Sequence, residues 1–175
     1  MRTIVAVAIA GGIAAAAALL GTLLFMPVMS TGGPEPSSPI VRAGGLPGYN
    51  QTVVSIGDVR LLADIAATPN QKSLGLGVRD NMTEAEGMIF PFESEAPHGF
   101  WMNGMKFPID IIWLDAGKKV VHIEPNLQPC QTLLDCPTYT PEKNAMYVLE
   151  TVAGFSERHG VAVGTQAEFE LNTVR

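Results

Sequence analysis

Asp110 is the residue whose surroundings first raise a chemical question. It stands in Ile109-Asp-Ile-Ile-Trp-Leu114, a run otherwise apolar apart from the indole nitrogen. A carboxylate in such a run must be exposed, paired or hydrogen-bonded, because burying it alone is costly. Arg79 is its expected partner. An internal ion pair would pin the fold, whereas a carboxylate left open would orient a ligand or exchange protons, since perturbed carboxylates gather at sites. Upstream, Phe100-Trp101-Met102-Asn103 sets large apolar side chains beside an amide. In a strand Phe100 and Met102 face one side and Trp101 the other, so all three line one pocket only across a bulge. Core packing is the competing role. An exposed indole beside polar groups suits a sugar or peptide. The ligand-binding candidates are therefore Phe100, Trp101, Met102, Asn103, Asp110 and Arg79.

Other chemistry is less well supported. Thioethers and imidazoles suit Cu(I), and His98, Met102, Met105 and His122, joined by Met88, are the side chains that would hold it. They are scattered along the chain, and methionine is an ordinary filler of core gaps, so no metal or other cofactor is assigned. Cys130 and Cys136 are separated by five residues. In an oxidising compartment they can close a short loop as a disulfide. The spacer is too long for a Cys-x-x-Cys redox motif, and two cysteines fall short of a zinc set. The chain has no Gly-x-Ser-x-Gly elbow, His-Glu-x-x-His or phosphate-cradling glycine loop. Glu84 and Glu86 could join Asp110 as paired carboxylates for acid–base work on an envelope carbohydrate.

The elements that must position these residues are mostly short strands. Residues 52–56 and 59–66 are predicted to pair about a Gly57-Asp58 turn. Thr68-Pro69 reads as the cap and first turn of a short helix ending near Gly75 or Gly77. Apolar runs follow at 87–92 and 99–102, then a strand at 109–114, rich in β-branched and aromatic residues. Asp115-Ala-Gly117 turns it into a partner at 118–124. A loop of about fifteen residues, 125–140, carries both cysteines and several prolines. Strands resume at 145–152, 161–164 and 166–171, with a helical turn at 154–159. The pattern predicts a mainly β domain, an antiparallel sandwich or partly closed barrel with one or two short helices.

The front of the chain differs. Ile4 to Phe25 carries no charge, and its length of about 22 residues can cross a hydrocarbon core. Residues 1–29 are read as a transmembrane anchor, with a cleaved signal as the alternative. Residues 30–50, rich in Pro, Gly and Ser, are a tether, and 51–175 the β-rich domain. Arg2 precedes the apolar run and the next positive charge is Arg42, which favours a cytoplasmic N-terminus and a domain outside. The net charge is −6, and setting Arg2 aside leaves −7 on the remainder. An acidic surface repels phosphate backbones, which argues against nucleic-acid partners.

Four segments together resemble the family known as domain of unknown function 192. They are Gly75-Leu76 with Arg79, Glu86-Gly-Met-Ile-Phe90, Phe100-Trp-Met102 with Pro108-Ile-Asp-Ile111, and Tyr147-Val-Leu-Glu150 with Gly154. The resemblance spans about residues 53–172 and implies a compact β-sandwich or barrel-like fold without naming a reaction. The chain departs from the family pattern in two places. Asn103-Gly104-Met105 stands where x-Asn-Thr is usual, and Gly77 where methionine is common. The expectation is a membrane-tethered accessory or binding domain outside the cell rather than a free-standing enzyme. It would engage a small ligand, an envelope glycan or a partner protein.

Overall fold

The computed structural model of the chain describes residues 45–130 and 132–171. The expected anchor at 1–29, and the tether up to residue 44, lie outside the described residues. Among those described, no helix is long and apolar enough to cross a membrane.

The domain is mainly β. Strands β1 (Asn50–Ile56) and β2 (Val59–Ile65) form a hairpin whose turn uses Gly57 at φ +57°. Helix α1 (Pro69–Leu74) starts at a capping box. The Gln71 backbone amide donates to Thr68 Oγ1, and the Thr68 amide donates to Gln71 Oε1. A 3-10 turn (Gly75–Val78) leads on to β3 (Glu86–Ala96). After β4 (Phe100–Trp101) come β5 (Ile109–Leu114) and β6 (Val120–Leu127). A 3-10 turn at Leu133–Asp135 precedes β7 (Thr138–Tyr139) and β8 (Ala145–Val152), and α2 (Phe155–Arg158) and β9 (Ala167–Glu168) end the described chain.

Seven strands make one curled sheet in the order β6-β5-β8-β3-β2-β1-β9, and β4 pairs with β7 in a separate ribbon. The arrangement is a half-barrel rather than two stacked sheets. One pair, β2 with β3, is parallel, because α1 and the turn after it carry the chain back across the sheet before β3 begins. The segment expected as a strand at 161–164 is a turn instead. Gly164 sits at φ +95° and its amide donates to the Val120 carbonyl. The last strand shrinks to Ala167–Glu168 because its neighbours serve as a clasp. The Ala167 amide donates to Lys118 O and the Val120 amide to Thr165 O, while Ser55 and Ile56 of β1 pair with Glu168 and Ala167. One short segment thus bridges the two sides of the curl and leaves less edge unpaired.

Both faces of the sheet are buried. Ile56, Ala63, Ile89, Ile112, Leu114, Leu149 and Phe155 belong to one apolar cluster. Met88, Phe90, Ile109, Ile111, Trp113 and Val148 belong to the other. Strand β5 shows the alternation directly: all six of its residues are buried, with odd positions on the second face and even ones on the first.

That alternation corrects the expected pairing of Asp110 with Arg79. Asp110 is an even position, fully buried on the first face. Its Oδ1 accepts from the backbone amides of Asn126 and Gly154, each at 2.8 Å, and its Oδ2 from that of Ser156 at 2.8 Å. The carboxylate therefore ties β6 and the start of α2 to β5, and it opens into no cleft. Arg79 serves the second face instead. Asp110→Ala would orphan three backbone donors, and at about 1–3 kcal/mol for each unsatisfied buried group we expect a loss of at least about 3 kcal/mol. Urea denaturation measures it; a loss under about 1 kcal/mol would show that these bonds do not hold the corner.

Candidate functional site

The second face carries a polar row that runs across the strands. Cross-strand register aligns Gln51, Asp64, Met88, Glu150, Ile111 and Glu124 in that order. Asp64 and Glu150 thus flank Met88 from either side, at about two strand spacings, or ~10 Å, from one another. Both carboxylates are buried, and their surroundings differ.

Asp64 is fully partnered. Its Oδ2 takes Arg79 Nη2 at 2.6 Å, and its Oδ1 takes Gln51 Nε2 at 2.9 Å. Arg79 also donates from Nη1 to Glu86 Oε1 at 2.9 Å, and Glu86 accepts in addition from the Thr83 amide and hydroxyl. The Arg79 guanidinium is raised: burial opposes it, and the bonds and charges of Asp64 and Glu86 prevail. Glu84 turns outward to Arg158 and His159. The carboxylates weighed as a catalytic pair are thus split between an internal ion-pair network and the surface, with Asp110 on the opposite face.

Glu150 has no such partner. It is 4% exposed, stands between Met88 and Ile111, and its Oε2 meets no hydrogen-bond donor. Burial pushes its carboxyl up to about 8, against the pull of the Leu76 backbone amide. It is therefore mostly protonated at neutral pH.

Glu150 lines a small cavity together with Phe90 of β3, Phe100 and Trp101 of β4, Asn103, Met105, and the Lys72–Leu76 segment that ends α1. The free space is about 30 Å³, enough for a water or two or the tip of a ligand. Gly75 stands in its wall. Its φ of +50° and ψ of −149° suit glycine, and a Cβ there would stand 3.7 Å from Phe90 Cζ and 3.9 Å from Glu150 Oε2. Trp101 is 49% exposed at the rim. A wider, shallow groove lies along β1 and β9, lined by Ser55, Arg60, Glu168 and Glu170 among others.

Of the residues singled out from sequence, Phe100, Trp101 and Asn103 come together at this cavity. Met102 points into the apolar cluster and is fully buried, while Arg79 and Asp110 sit elsewhere, as described. The Cu(I) candidates are engaged otherwise. His98 stacks on Phe92 with ring centroids 3.5 Å apart and its Nε2 meets Ser94 O. His122 packs against Trp113 with Nε2 on Glu124, and Met105 lines the cavity. Among the described residues no three His, Cys, Asp or Glu side chains are grouped to hold a metal ion. Sequence reasoning passed over Glu150, although the test applied to Asp110 fits it equally: it is the one acidic side chain within the β8 segment Ala145–Val152.

The rim is fastened by the cysteine loop. Cys130 and Cys136 are joined as a disulfide, the Cys130 amide donates to Met102 O at 3.4 Å, and Phe100 and Trp101 pair with Tyr139 and Thr138. The loop thus holds β4, and with it the indole, against the body of the domain.

Residues 52–169 match the family DUF192, described as uncharacterized ACR. The chain belongs to that family. It is 31% identical over 90 residues to the UPF0127 protein TK1120 of Thermococcus kodakarensis, an alignment covering 51% of this chain and 53% of the relative. The chain therefore spans about half the length of the curated relative it matches. A solved Sinorhizobium meliloti 1021 structure, described as that of a candidate transcription regulator, is similar at a TM-score of 0.65 and 26% identity, covering 71% of this chain and 98% of that one. A Novosphingobium aromaticivorans DSM 12444 protein of unknown function shares the fold at a TM-score of 0.64 and 24% identity, covering 78% and 99%. The two departures from the DUF192 pattern come close together in space, and Asn103 and Met105 of the second line the cavity. A Cβ on Gly77 would lie 3.1 Å from the Gly104 carbonyl oxygen, so the missing side chain at 77 allows that close backbone approach, while Gly104 has open space around it and takes a φ of +75°.

Glu150 makes stability depend on pH. Its folded value of about 8 exceeds the ordinary 4.5, so the folded state holds the proton more tightly. Stability is greatest below the unfolded value and falls as pH rises from about 4.5 through about 8. The loss should be on the order of 5 kcal/mol. Urea melts of Glu150→Gln at pH 5, 7 and 9 should show a flatter profile than the parent. An unchanged slope would refute the assignment.

Proposed function

We propose that this DUF192 chain is a membrane-tethered binding protein whose β domain faces the outside of the cell and takes the tip of a small ligand into the Glu150 cavity. The observation that carries this reading is the free, fully buried Oε2 of Glu150 at a cavity whose rim holds a half-exposed tryptophan. An orphaned buried oxygen costs about 1–3 kcal/mol, and a ligand group that supplied its partner would recover that cost. An indole at the mouth gives the rest of the ligand a flat apolar surface.

The membrane placement draws on the apolar run at residues 4–25 and on Arg2 before it. The Cys130–Cys136 disulfide fits an oxidising compartment. In this reading residues 1–29 anchor the chain, 30–50 tether it and 51–175 bind. Acid–base catalysis is less well supported, because it calls for a second carboxyl group beside the first, and the cavity is lined by Glu150 as its one carboxylate. Cu(I) handling is weakened by the hydrogen bonds that occupy both imidazoles.

A thermal-shift screen of the full-length chain in detergent, across metals, amines, amino acids and glycans, tests the proposal. A ligand binding only the native state at 100 times its Kd adds about 2.7 kcal/mol of stability. We expect at least one hit, lost in both Glu150→Gln and Trp101→Ala. Hits that survive both substitutions would place binding elsewhere and overturn the assignment.

A further inference from the structure

Resting on that binding reading, we infer that the group taken into the cavity is a primary alkylammonium, its nitrogen against Glu150 Oε2 and its alkyl stem leaving past Phe100 and Trp101.

The polar row supplies the comparison. Asp64 and Glu150 occupy equivalent positions on either side of Met88, on the same face and both buried. The chain provides Asp64 with a cation of its own, Arg79, at 2.6 Å. It provides none to Glu150, whose Oε2 is bare. What the second position lacks is the kind of group that completes the first. A buried carboxyl next to a cation returns to its charged form.

Size and walls narrow the class. A free space of about 30 Å³ admits an ammonium head on a thin stem, whereas a guanidinium or a sugar ring is too broad. Phe90, Phe100 and Trp101 present aromatic surface, which attracts cations through the ring quadrupole. Asn103 adds an amide oxygen that can accept from the ammonium. An anion would meet the faces of these same rings, which disfavour it, and the one cation in the lining, Lys72, has its Nζ over the Phe92 ring.

The groups facing Glu150 are few. From the end of α1 comes Lys72, whose Nζ stands over the Phe92 ring at 4.5 Å. Strand β3 presents Met88 and Phe90, β5 presents Ile111, and the segment after β4 presents Asn103 and Met105. The Asp64–Arg79 pair lies beyond Met88. Lys72 is the native competitor for the site, held aside on Phe92. Ligand capture should therefore expel the Glu150 proton, and affinity should rise with pH up to about 8.

The test is calorimetric titration of the full-length chain in detergent with n-butylammonium, using n-butanol and butyrate as neutral and anionic counterparts. We expect saturable butylammonium binding that releases close to one proton at pH 7, measured from the dependence of heat on buffer ionisation. Affinity should fall at least tenfold in Glu150→Gln and in the surface variant Trp101→Ala, and should hold or rise in Lys72→Met. Absence of butylammonium binding, binding unchanged in Glu150→Gln, or binding without proton release overturns the inference. If butanol or butyrate binds in its place and depends on Glu150 and Trp101, the cation assignment fails while the cavity remains the binding site. If no hit in the broader screen depends on those two residues, the binding reading itself fails.

Discussion

Burying both faces of one curled sheet makes a polar side chain turned into it costly unless it finds a partner inside the protein or gives up its charge. Three strand carboxylates meet that demand in three ways. Asp110 collects three backbone amides and thereby fixes a corner where β5, β6 and α2 meet. Asp64 takes Arg79, which draws the segment after α1 and the start of β3 into the same network through Glu86. Glu150 keeps its proton. The first two arrangements hold elements together. The third keeps a neutral carboxyl in an apolar wall, and it leaves an oxygen facing a cavity.

The scaffold around that cavity comes from distant parts of the chain. Strands β3 and β8 provide its floor, the glycine turn after α1 part of its wall, and β4 its aromatic rim. The ribbon β4–β7 is only two residues long on each strand, so little of its own hydrogen bonding stabilises it. The disulfide and the Cys130–Met102 backbone bond make up for that shortness by tying the long loop down beside it. The rim tryptophan is thus held by a covalent brace whose existence depends on the redox state of the compartment.

This chain shares its fold with solved structures at about a quarter sequence identity, and identity that low leaves room for the side chains around the cavity to differ. In this chain Gly77 lies close to the Gly104 carbonyl, next in sequence to the cavity-lining residues Leu76, Asn103 and Met105. Different side chains around such a cavity would let one fold serve different ligands, since specificity lies in the site grafted on the scaffold rather than in the scaffold.

Much of the fold was legible in the sequence because its signals are local. The Thr68-Pro69 cap, the turn at Gly57 and the β-branched run at 109–114 depend on neighbours only a few residues away, and the structure realises each. The turn at 161–164 and the brevity of β9 were not legible, because that segment answers to hydrogen bonds from Lys118 and Val120, more than forty residues away. The site followed the same division. Sequence determined that a carboxylate inside an apolar strand needs explaining, and that Phe100, Trp101 and Asn103 could serve a ligand. Only the tertiary structure decided which carboxylate that was. Alternation along β5 turned Asp110 to the face opposite Arg79, and cross-strand register set Arg79 beside Asp64 and left Glu150 without a cation. Pairing between strands is a property of the folded sheet, and no spacing along the chain encodes which buried charge will be left unpartnered.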